Sequence, residues 1–264
     1  MKAFLKRHRL AAFFVLAFVL SWYPWIIALM QRRISGPNPL GPLVAGIIVT
    51  AIVYGRPGLR EFFGRMIRGR VGAKWYVILF LTPVLICLSA IGITLLFADR
   101  SEVSPFSFEK LKEIPERFIF ILLFVGLGEE PGWRGFALPH LQVRHSALMA
   151  SLILAPIWTL WHLPLIGNEF QAPLVPQFVV SVFGGTFFLT WIFNGSKGSV
   201  LLPMLFHSTI NTVGAGLLFP LFTGTALIIL WWVYSVIWFG LGLLVLVLDR
   251  SSQPVRPLAT QAAR

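Results

Sequence analysis

An all-α fold, a polytopic membrane bundle of about eight transmembrane helices, is what this sequence predicts, and three observations carry the prediction. Of 264 residues, 57% are hydrophobic and only 12% charged, with a mean hydropathy of +0.81, well outside the range of a water-soluble domain. The apolar residues gather in runs of about 20, the length of helix that crosses a hydrocarbon core. The charges collect between those runs. In lipid a chain must satisfy its backbone polar groups internally, so spans of this length are read as helices.

Eight segments can be drawn in order, at 10–30, 39–55, 74–98, 118–138, 146–166, 174–194, 198–218 and 224–248. The first follows Lys2, Lys6, Arg7 and Arg9. It is too long for a signal-peptide core and has no small-residue cleavage site, so it reads as a retained span. Between the second and third spans, Arg56, Arg60, Arg65, Arg68, Arg70 and Lys74 stand against Glu61 alone, and Arg144 and Lys197 fall in loops of the same parity. Basic loops stay in the cytoplasm, so both termini are expected there, in a multi-pass protein of the cell membrane. The opposite loops hold Arg32 and Arg33, which run against the trend, then the mixed stretch 99–117, Glu169 and an uncharged turn near Pro220. The loops 56–73 and 99–117 have room for short interfacial helices, the first amphipathic and basic. Residues 1–250 form one transmembrane domain in this reading, and the polar segment 251–264 is a disordered cytoplasmic tail.

The formal charge of +12 does not indicate nucleic acid, because the cations lie between apolar spans, where topology and anionic lipid explain them. Cys87 is the single cysteine and sits within a span, so no disulfide framework or cysteine metal site is expected.

The anomaly is the span 118–138, FIFILLFVGLGEEPGWRGFAL, which carries Glu129, Glu130 and Arg134 near its middle. A charge at mid-bilayer costs about 2.5–3.5 kcal/mol on the lenient insertion scale, so these groups need partners and shielding. Glu130 and Arg134, four apart, share a helical face and can pair. Glu129 points about 100° away and is left without a local partner. Pro131 removes a backbone donor and crowds the carbonyl of Leu127, while Gly128, Gly132 and Gly135 add room, which predicts a kink. Two histidines also fall inside spans, His162 in IWTLWHLPL and His207 in LLPMLFHSTINT, whereas His8, His140 and His145 sit in flanks or loops. His207 and Asn211, four apart, project from one face.

These types suit hydrolysis. A carboxylate in a partly dry cleft can take a proton from water, an imidazole can share that work, and a second imidazole with an amide can donate to an oxyanion. Each has a plainer role too: ion pairs lock helices, intramembrane histidines fill space, and amides bridge helices at about 1 kcal/mol. The zinc-protease pattern HExxH is absent, yet Glu129, His162 and His207 could still ligate a metal from separate helices. The sequence is compatible with that and with metal-free catalysis.

Order and spacing carry a resemblance. Glu129-Glu130-Pro131-Gly132-Trp133-Arg134 fits EExxxR, Trp158 to His162 fits FxxxH with Trp in place of Phe, and His207 to Asn211 fits HxxxN. As a set, over a motif-bearing core of about 118–215, they resemble the CAAX-protease and bacteriocin-processing (CPBP) family of intramembrane proteases. The resemblance implies that Glu129 with His162 activates water, that His207 and Asn211 stabilise the oxyanion, and that Glu130 with Arg134 supports the site. It further implies a bundle of about eight helices with a cavity open to the cytosolic side and the lipid. The substrate would be a peptide or protein at the membrane, a lipidated one included, and zinc stays open because members are described as glutamate-dependent and as zinc-dependent. One geometric tension accompanies it, since the topology sets His162 nearer the external end of its span than Glu129 and His207. A non-catalytic immunity or scaffold protein using the same cluster structurally is the alternative. A proton-coupled transporter is a third reading, for which no inverted repeat is visible.

Overall fold

A computed structural model describes residues 2–168, 170–249 and 254–255. Most of the tail expected at 251–264 lies outside the described residues, as does Glu169. The described chain is helical, with isolated bridges such as Val103 to Phe222 and no strands among the described residues. Eight rods can be followed: α1 (Arg9–Met30), α2 (Gly41–Met66), α3 (Ala73–Thr94), α4 (114–141), α5 (Ala147–Trp161), α6 (Val175–Gly195), α7 (Leu201–Val213) and α8 (Gly224–Leu248).

Among the described residues, seven of the eight expected spans are long and apolar enough to cross a membrane on their own. The segment that does not qualify is 118–138. Its rod is divided into short α pieces and two π turns, Leu122–Gly126 and Pro131–Ala137. The expected kink takes this form. Pro131 keeps helical dihedrals (φ −60°, ψ −37°), and the turn that follows widens into π geometry, a response that relieves a missing donor and a crowded carbonyl. Glu129 and Glu130 occupy the α turn between the two widened segments.

Hydrogen bonds between loops define the two ends of the bundle. At one end the 99–104 segment meets the turn before α8, with Ser104 N–H donating to the Leu221 carbonyl (2.8 Å) and Thr223 N–H to the Glu102 carbonyl (2.9 Å). Glu102 also accepts from the Ala226 N–H (2.7 Å), capping α8. At the other end Val200 N–H donates to the Arg65 carbonyl (2.8 Å) and Arg68 Nη1 to the Lys197 carbonyl (2.7 Å). With eight alternating rods, the start of α1 and the end of α8 lie at this second end.

Helix α2 runs eleven residues past the expected boundary, which falls at a kink. Gly55 adopts φ 66°, ψ −155°, backbone that a residue with a Cβ rarely takes. The part beyond it, from Arg56, is the amphipathic basic helix expected in the 56–73 loop, and Arg65 there is fully buried on Glu61 (2.9 Å). In the 99–117 loop short 3₁₀ turns form at Arg100–Glu102 and Phe108–Glu113.

The motif rod is packed on the start of α2. A Cβ on Gly132 would meet the carbonyl oxygen and Cβ of Pro42, both at 2.5 Å, so only hydrogen fits between the two backbones. Phe13, Trp133 and Phe136 close the same interface, with Phe13 and Trp133 ring centroids 5.7 Å apart at 90°. Overpacking such a contact costs about 1–3 kcal/mol. Gly132→Ala is therefore expected to lower the thermal unfolding temperature of the detergent-solubilised protein by several degrees, whereas Gly64→Ala, with open space around it, leaves it unchanged or raised.

Candidate active site

A cavity of about 490 Å³ counts Glu129, His162, His207 and Asn211 among its lining. They arrive from three rods: Glu129 from α4, His162 from the carboxy-terminal cap of α5, and His207 with Asn211 from α7. His162 does stand at the end of its helix, where the topology set it, and it lines the same space as Glu129 and His207.

Trp158 is the hub. Its Nε1–H donates to Glu129 Oε2 (2.7 Å). Its backbone carbonyl accepts from His162 Nδ1 (2.7 Å). Its ring lies 4.1 Å from the Arg134 guanidinium carbon, a cation–π contact. The same ring meets both imidazoles, with centroids 5.3 Å from His162 and 5.7 Å from His207. Glu129, which has no partner in its own helix, thus finds one in α5. Sequence reasoning treated Trp158 as a bulky replacement for Phe. An indole N–H inside a span needs an acceptor, and the intramembrane carboxylates were the acceptors to consider.

Behind that lining lie the supporting groups. Arg134 Nη1 donates to Glu130 Oε1 (3.0 Å), both side chains being fully buried, so the expected ion pair is present. His207 Nδ1 donates to the same oxygen at 2.8 Å. This link joins residues 77 positions apart, and no local pattern announces it. Because a carbonyl and a carboxylate can only accept, both imidazoles carry a proton on Nδ1 and offer Nε2 for chemistry. Asn211 lines the cavity one helical turn beyond His207.

His140 departs from expectation. Read as a loop residue, it is buried in the last turn of α4, with Nδ1 on the Phe136 carbonyl (2.6 Å) and Nε2 on the Tyr54 hydroxyl (2.6 Å). The helical rod extends to Leu141, beyond the hydropathy boundary at 138, and carries His140 inside. Cys87 is buried and free, as its place in a span implied.

The set of Glu129, His162 and His207 has the donor chemistry of a zinc site, including imidazoles anchored through Nδ1. As arranged, however, no group of three or more His, Cys, Asp or Glu among the described residues is disposed to hold one ion. The residues do not fit the metal in this arrangement.

Aromatic residues share the lining, among them Phe170, Phe178, Phe206, Phe219, Trp231 and Trp238, and the Phe178 ring centroid lies 5.2 Å from that of His162. Such a lining suits a bulky apolar group beside a few polar ones.

Comparison with known proteins finds likeness to prenyl endopeptidases. Residues 113–213 match the family model described as type II CAAX prenyl endopeptidase Rce1-like. The chain is also 27% identical over 218 residues to CAAX prenyl protease 2 of Methanococcus maripaludis, covering 75% of this chain and 79% of that relative.

Removing one partner of a buried charge costs about 3–5 kcal/mol, and one buried hydrogen bond to a charged group about 1.5–3 kcal/mol. Arg134→Ala, which leaves the fully buried Glu130 with His207 alone, is expected to unfold well below the parent protein in detergent melting curves. Trp158→Phe, which keeps a ring beneath Arg134 but loses the donor to Glu129, should show the smaller loss.

Proposed function

We propose that this chain is an intramembrane endopeptidase of the CPBP family, to which its likeness to the Rce1-like model and to CAAX prenyl protease 2 points, and that its cavity hydrolyses a peptide bond with Glu129 and His162 activating water and His207 with Asn211 receiving the oxyanion. The observation that carries the reading is the convergence of these four side chains on one cavity that is otherwise rich in aromatic residues. A peptide at the membrane is the substrate, and the aromatic lining suits one that bears an apolar group, a lipid included, beside the scissile bond.

The chemistry follows from the contacts. Glu129 holds one oxygen on Trp158, leaving the other to accept a proton as water attacks the carbonyl carbon. His162, its Nδ1–H committed to the Trp158 carbonyl, has the Nε2 lone pair to orient that water. The electron pair of the broken C=O bond collects on oxygen, where protonated His207 Nε2–H and the Asn211 amide donate. Glu130 offsets the charge on His207 and fixes its ring. Collapse re-forms the carbonyl, breaks the C–N bond, and passes the proton held by Glu129 to the leaving amine.

The test is cleavage of a membrane-anchored reporter peptide by purified protein. Glu129→Gln and His207→Ala are each expected to abolish turnover, and Asn211→Ala to slow it by about 10²–10³-fold, as for one oxyanion donor. Full retention of cleavage in Glu129→Gln would end the proposal. The immunity or scaffold reading draws on the fully buried Glu130–Arg134 pair. It would gain if Glu129→Gln melted early and no peptide were ever cut. Metal removal gives an independent check. Cleavage is expected to survive prolonged dialysis against a zinc chelator, and a loss that zinc alone reverses would move Glu129, His162 and His207 into ligand roles.

A further inference from the structure

We propose that this cavity takes its substrate from the extracytoplasmic side, as a polypeptide segment already translocated and held at the outer leaflet. The inference rests on reading the cavity as the hydrolytic site. Two observations carry it together.

The first is where the cavity lies. Its walls draw on the 31–40 loop through Gly36, Pro37 and Pro39, on the connection after α5 through Leu165 and Phe170, and on the segment after α7 through Ala215. Helices contribute mainly from their halves nearer that end, as with Ile121 and Val125 of α4 and Phe178 of α6, and the lining reaches past mid-helix only at residues such as Leu189, Phe206 and Trp238. No residue of the loops 67–72, 142–146 or 196–200 lines it. The cavity therefore belongs to the end of the bundle where the 99–104 segment meets the turn before α8.

The second is charge. Of the 22 Lys and Arg residues in the chain, only Arg32, Arg33, Arg100, Lys110, Lys112 and Arg117 stand at the cavity end among the described residues. Acids accompany them there, with Lys112 on Glu109 and Arg117 on Glu113 (2.7 Å). The opposite end holds the Arg56 to Lys74 series, Arg144 and Lys197. That series is built into the fold, since Arg68 reaches the Lys197 carbonyl (2.7 Å) and Ser199 Oγ reaches the Arg68 carbonyl (2.6 Å). Lys and Arg in short loops keep their end in the cytoplasm. The basic end and both termini are then cytoplasmic, and the cavity opens away from them. Cytoplasmic termini and a cytosolic cavity, both expected from the sequence, are incompatible in this arrangement. The basic loops decide between them.

The substrate class follows. A reaction that moves polypeptide across the membrane must precede this hydrolysis, and the segment to be cut enters beside the 31–40 loop with its apolar part against the aromatic lining.

The chain supplies a clean way to test this, because its single cysteine, Cys87, is fully buried. Single substitutions Ser104→Cys at the cavity end, Ala215→Cys in the exposed part of the cavity wall, and Ala73→Cys at the basic end place thiols at three sites. In intact cells expressing the full chain, a membrane-impermeant maleimide is expected to label the first two and to label Ala73→Cys only after permeabilisation. Labelling of Ala73→Cys in intact cells, with the other two protected, would overturn the inference and leave the hydrolytic reading untouched. The Glu129→Gln cleavage assay in detergent has no sidedness and judges that reading separately.

Discussion

One oxygen atom holds the site together. Glu130 Oε1 accepts from Arg134 in its own rod and from His207 in α7, so two helices distant in sequence share a buried carboxylate. Burying such charges gains little net stability and is strongly destabilising once a partner is lost. Its return is positional. The shared oxygen fixes His207, the Arg134 guanidinium carbon lies 4.1 Å from the Trp158 ring centroid, and Trp158 holds Glu129. His207 is thereby held from behind the cavity, and Glu129 by a neighbour in its lining.

Lipid gives this arrangement its meaning. With no hydrophobic drive between helices, association relies on close packing and on polar contacts across helices. The α4 rod uses both, with Gly132 against Pro42 on one side and Glu130 to His207 on the other. The rod that carries most of the polar atoms is also the one that fails as an independent span. Its neighbours supply what its composition lacks.

Much of this was legible in the sequence, because hydropathy and helical period are local quantities. Seven spans, the Glu130–Arg134 pair and the shared face of His207 and Asn211 all follow from spacing. What was not legible is what depends on distant neighbours. The partner of Glu129 lies 29 residues on and that of His207 lies 77 back. His140 reads as a loop residue by hydropathy because proline and histidine lower the score at 139–140, although the rod continues through them. The side of the bundle on which the cavity lies depends on how far each helix end reaches, and no single segment encodes that. The proposed catalytic roles rest on motif order, to which the structure adds that the four residues line one cavity.

The two π turns carry a further consequence, for chain length. Each widened turn accommodates backbone that a regular α-helix would place elsewhere, so the angular relation of the residues before Leu122, between the turns, and after Pro131–Ala137 depends on both being present. A π turn takes about one residue more than an α turn, so loss of a single residue from 131–137 is absorbed by relaxation to regular pitch, whereas the same loss from a regular α turn rotates everything beyond it by about 100°. The widened turns are thus the places where this rod can change length by one residue and still present Glu129 and His140 to their partners.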